Sequence, residues 1–183
     1  SVNEIHMTQT TFCKSLEVMR PPRERRQQLK ELLTPEEKSD FASCTGSLNY
    51  AGHCAHPEIQ GQTSLLQGGQ VTVEDWLQAQ SLLRELVETS EIPLKFFKLN
   101  PETAIILTFG DSSWANTVGH KSQAAFLVYL AEPECLTPEG GIANITDFGS
   151  HRLRRSCHAT IYAEAMASRS ARAAGLWARL WLL

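Results

Sequence analysis

Ala104-Ile105-Ile106-Leu107-Thr108-Phe109-Gly110-Asp111 is the stretch on which the fold turns. Branched and aromatic residues dominate it, and apolar side chains occupy both alternating sets of positions. It therefore predicts a strand buried on both faces, central to a sheet. Two more strand-like runs follow at short intervals: Ala124 to Leu130, apolar throughout, and Ile142 to Phe148, less so. Asn116 and Gly119 mark a turn before the second run, and Pro133, Pro138, Gly140 and Gly141 mark one before the third. Such short links predict an antiparallel meander, because a parallel crossover needs about a dozen residues or more.

On the far side of the meander, an alanine-rich helix begins near Thr160, with Tyr162, Met166, Ala173, Leu176, Trp177 and Leu180 near one stripe. On the near side the pattern is helical. Thr34-Pro35-Glu36-Glu37 is a helix start, with a capping threonine, a proline in the first turn and acids at the positive end of the dipole. That helix can run through Phe41, Leu48 and Tyr50, weakened by Gly46 and Gly52. Gln60 to Gln70 reads as loop-rich, and no strand is expected in the first 72 residues. Residues 72–90 form the clearest helix, striped by Trp76, Leu77, Ala79, Leu82, Leu83, Leu86 and Val87; Pro93 and Asn100-Pro101 then impose extended chain. The expected class is α+β, with a helical segment over 1–100 and a three-stranded antiparallel meander with a packed helix over 101–183.

Composition narrows the function classes. With 42% hydrophobic and 20% charged residues in 183, the chain is neither disordered nor a membrane protein. Its longest apolar runs are far below the ~20 residues that span a bilayer, and its first residues lack a secretion signal. The five cysteines, at 13, 44, 54, 135 and 157, are odd in number and irregularly spaced, which suits reduced thiols in an intracellular protein. Residues 151–183 hold six arginines and one acid, a net +5, so residues 1–150 carry −8 of the overall −3. A second cluster, Arg20, Arg23, Arg25 and Arg26, surrounds Pro21-Pro22. Either cluster reads as a polyanion-facing patch or as a solvated helix face.

Two carboxylates stand out. Asp111 ends the first strand, and Glu164 lies early in the late helix with no other acid near it. If that helix packs on the sheet face carrying Asp111, the pair could share a Mg²⁺. Taken alone, an exposed turn aspartate and a helix-dipole glutamate are the simpler account of the two residues. Cys44, His53, Cys54 and His56 are zinc ligands by type, but their spacing matches no common zinc module. Trp114 reads as a packing residue, with base stacking as the alternative.

Phe109-Gly110-Asp111-Ser112-Ser113-Trp114-Ala115-Asn116, then Lys121-Ser122-Gln123 and Phe126-Leu127-Val128-Tyr129-Leu130, resembles the start of the ribonuclease H domain in copia-type retrotransposon polyproteins. Arg154-Arg155-Ser156 and Ala163-Glu164-Ala165 resemble that domain's later basic-serine stretch and Ala-Glu helix. Upstream, Leu33-Thr34-Pro35-Glu36, Gly46-Ser47-Leu48-Asn49-Tyr50 and His56-Pro57-Glu58 are similar to the segment after the reverse-transcriptase core. The resemblance implies a ribonuclease H-like half-domain acting on RNA–DNA hybrids, with Asp111 and Glu164 as Mg²⁺ ligands and Arg152, Arg154 and Arg155 near the phosphate backbone. Departures from the family are His56 in place of its arginine, Phe148 in place of its tryptophan, and no aspartate after Asp147. Two-metal hydrolysis needs ligands for two cations ~4 Å apart, so the chain is expected to be catalytically incomplete. The alternatives are a non-catalytic nucleic-acid-binding or assembly module and a degenerate retroelement remnant without function. A sheet lacking its later strands also implies self-association through an exposed strand edge and the apolar tail from Leu176.

Overall fold

A computed structural model describes residues 3–67, 69–117, 121–154 and 156–182. Among these the architecture is α+β: five helices and two antiparallel sheets of two and three strands. The chain forms two compact units, Thr8–Pro93 and the pair Ser1–Met7 with Leu94–Leu183. Their limits differ from a division at residue 100. Strand β1 (Glu4–Met7) pairs antiparallel with β2 (Leu94–Phe97), so the first residues join the later unit. The expectation of no strand before residue 72 is corrected there, because a partner some ninety residues away leaves no local signature.

In the unit Thr8–Pro93, α1 (Thr10–Lys14), α2 (Pro35–Cys54), α3 (Pro57–Leu66) and α4 (Val73–Glu88) surround one core. It gathers Cys13, Phe41, Leu48, Ile59, Trp76 and Leu86. Both long helices start with reciprocal caps. The Thr34 hydroxyl accepts from Glu37 N–H at 3.3 Å while the Glu37 carboxylate accepts from Thr34 N–H at 2.9 Å; Thr72 and Asp75 repeat the pattern. Arg25 clamps the first cap with two 2.8 Å bonds to the Glu37 carboxylate and another to Glu31, which holds the Glu37 carboxyl below its usual range. Gln60 to Gln70 is not loop-rich as expected: α3 continues to Leu66, burying Ile59, Thr63 and Leu66. Gly61 points into open space, so burial of its neighbours outweighs its ~1 kcal/mol cost. Tyr50 is largely exposed and meets the Phe12 ring edge-on at 4.9 Å instead of entering the core.

In the other unit, β3 (Ile105–Thr117), β4 (Lys121–Ala131) and β5 (Ala143–Arg152) form the meander in the order β3-β4-β5. Helix α5 (Thr160–Leu182) packs on it. The Asn144 side chain links the two sheets, accepting the Phe97 N–H at 2.8 Å and donating to the Phe97 carbonyl at 2.7 Å. Two departures from expectation concern α5. Its inward stripe is Ala163, Ala167, Ala171 and Gly175, whereas Tyr162, Leu176, Trp177 and Leu180 are exposed. Its bed is the face of β3 bearing Thr108 and Gly110. A Cβ at Gly110 would lie 2.8 Å from the Ala167 carbonyl oxygen, and one at Gly175 would collide with the Thr108 methyl. Small residues on both surfaces let helix and sheet approach to backbone contact, which the aromatic stripe could not do. β3, patterned as a central strand, stands at the edge of its sheet with no wholly buried residue among those described.

Candidate functional site

Alternation along β3 decides the geometry around Asp111. Thr108, Gly110 and Ser112 face α5, so Asp111 belongs to the opposite face with Leu107 and Phe109. The Phe109 ring meets Tyr129 edge-on at 5.9 Å on that face, which remains partly open. The expected packing of the helix on the Asp111 face is therefore corrected, because Gly110 makes the other face the one that admits α5. Asp111 is exposed, and its Oδ1 accepts the Ser112 N–H at 2.8 Å.

Ser112, not Asp111, meets the helix. Its hydroxyl donates to Glu164 Oε1 at 2.9 Å, leaving Glu164 half-buried over the middle of β3; the strand does not end at Asp111 as expected but runs on to Thr117. Glu164 is thus bonded to the residue next to Asp111, while alternation assigns Asp111 to the other face of the strand. Among the described residues no group of three or more His, Cys, Asp or Glu side chains could hold a metal ion. Asp111 and Glu164 therefore have no third His, Cys, Asp or Glu partner among the described residues, and Mg²⁺ takes an octahedral shell of oxygens.

Basic groups collect at the same end of the sheet. Arg152 pairs in register with Gln123, and two residues along β5 Ser150 pairs with Ala125 opposite Asp111, which puts Arg152 on the open face too. Lys121 Nζ donates to the Arg154 carbonyl at 3.1 Å, adding a cation to the basic stretch. Arg154 is exposed; Arg155 lies outside the described residues. Trp114 is half-exposed, and its indole N–H donates to the Cys157 carbonyl at 2.9 Å. Lys121 escapes a linear reading because strand pairing alone brings it to residue 154.

The structure does not gather Cys44, His53, Cys54 and His56. His53 Nδ1 lies 2.8 Å from the Asn49 carbonyl. His56 is buried, with Nδ1 2.9 Å from Glu58 Oε1 and Nε2 3.7 Å from Cys13 Sγ. A carboxylate only accepts, so Nδ1 carries the proton and Nε2 accepts from the thiol. This Cys-His-Glu relay has the outline of a nucleophile with its base, but Cys13 is wholly buried and burial pushes its pKa up. A protonated, inaccessible thiol attacks nothing, so the relay satisfies buried polar groups. No signal linked Cys13 to His56 in the sequence.

No protein-family model matches the chain, and no curated protein or solved structure proved similar to it. No described helix is long and apolar enough to cross a membrane.

Proposed function

We propose that the chain is a stretch of a copia-type retrotransposon polyprotein, the end of a reverse transcriptase followed by the first half of a ribonuclease H domain. In this reading it engages RNA–DNA hybrids without cutting them. The observation that carries the reading is the β3-β4-β5 meander followed by α5, with Glu164 tied to the residue next to Asp111. That is the element order the resemblance implies. Cleavage by two metals requires converging acids around both cations. Here Asp111 and Glu164 lie on opposite sides of a strand, so no Mg²⁺-dependent step is assigned to them. Lys121, Arg152 and Arg154 supply the charge for sequence-independent phosphate contacts.

The test is a fluorescent RNA–DNA hybrid titrated with the full chain in Mg²⁺, read by anisotropy and on a denaturing gel. Salt-sensitive binding with intact RNA is expected. Cleavage abolished by Asp111→Asn would overturn the non-cleaving reading, and no binding at low salt would overturn the hybrid reading.

A further inference from the structure

In the unit Thr8–Pro93, a hollow of about 460 Å³ lies between residues 19–26 and α4. Arg20 and Arg26 line it from the segment around Pro21; Leu77, Gln80 and Arg84 line it from α4. The spacing of three and four residues puts these last three on one helix face. No acidic side chain lines the hollow.

The arginines of this region divide into two kinds. Arg25 is committed to Glu31 and Glu37. Arg20, Arg26 and Arg84 have no carboxylate partner among the described residues, although residues 1–150 carry a net −8. Three arginines around one concavity, with no acid in its lining, make the hollow electropositive. Gln80 is buried, and its Oε1 accepts the Met19 N–H at 2.8 Å. That bond orients the amide and leaves its NH₂ as a further donor at the hollow. Met19, Pro21 and Leu77 add an apolar wall.

We propose that this hollow binds a ligand bearing closely spaced phosphates. Guanidinium forks match phosphate oxygens bidentately, and three arginines bring three positive charges, which closely spaced phosphates balance more fully than a single carboxylate does. The apolar wall suits a nucleoside body attached to the phosphates. The site lies outside the Asp111–Glu164 region and does not rest on the hybrid-binding reading.

Calorimetric titration of the full chain with inorganic tripolyphosphate, and separately with a nucleoside triphosphate, tests it. Saturable binding of tripolyphosphate is expected, weakened at least about tenfold by Arg26→Gln or Arg84→Gln and unchanged by Arg23→Gln. All three residues are exposed, and circular dichroism verifies that the variants fold. Tighter binding of the nucleoside triphosphate identifies a nucleotide as the source of the phosphates, and equal binding identifies free polyphosphate. Absence of saturable binding, an equal loss in Arg23→Gln, or binding of RNA–DNA hybrid alone would overturn the proposal.

Discussion

The Ser112 hydroxyl donates to Glu164 Oε1 at 2.9 Å, and through this bond the middle of β3 holds the first turns of α5. Ser112→Ala removes the donor and leaves a half-buried carboxylate short of a partner. A loss of about 1–2 kcal/mol is expected in urea unfolding, while Ser113→Ala, on the opposite face, stays within about 0.5 kcal/mol.

The helix–sheet seam gives a second test. A side chain at Gly110 would meet the Ala167 backbone, which has no freedom to move aside. Gly110→Val is expected to cost about 1–3 kcal/mol by lifting α5 from its bed. Phe109→Val one residue away, on the open face, costs less than that. Thermal melts of the two variants provide the comparison.

Buried thiols make stability depend on alkaline pH. Burial pushes the Cys44 pKa up to about 11 from its ordinary 9.0. The unfolded chain thus loses this proton at lower pH than the folded chain. The contribution is complete below pH 9 and disappears as pH rises toward 11, worth about 2–3 kcal/mol across that window. Cys44→Ala should flatten that part of the stability profile. In the native chain, a thiol reagent at pH 8 should modify Cys135 well before Cys13 or Cys44.

Electrostatic binding can be apportioned by salt. Each of Arg152→Ala and Arg154→Ala is expected to lower the slope of log affinity for RNA–DNA hybrid against log salt by about 1. Arg25→Ala should leave the slope unchanged, since its guanidinium is committed to Glu31 and Glu37.

Association between chains has its own reporter. β3 offers one unpaired edge, Phe109 is 55% exposed beside it, and Trp181 at the end of α5 is 83% exposed. An edge whose first residues carry neither charge nor proline pairs readily with another strand. Light scattering should give a mass above the monomer that falls on Phe109→Lys. A monomeric wild-type chain would refute this.

The sequence by itself determined the local elements. Thr34 announced its helix because capping chemistry lies within four residues, and the stripe from Trp76 to Val87 announced the helix over 72–90. Ile105 to Gly110 and Ala124 to Leu130 declared strands through branched residues, and the short links between them declared the meander. Only the tertiary structure decided which surfaces met. Periodicity divides β3 into two faces and α5 into stripes without ranking them. The ranking came from volume, as Gly110 and the run Ala163, Ala167 and Ala171 allowed the closest approach. That choice turned Asp111 away from Glu164 and left Trp177 exposed. The pairing of β1 with β2, the thiol of Cys13 against His56 and the convergence of Arg26 with Arg84 each join residues more than forty positions apart. Contacts of that span follow from packing the whole chain, and no local window carries them.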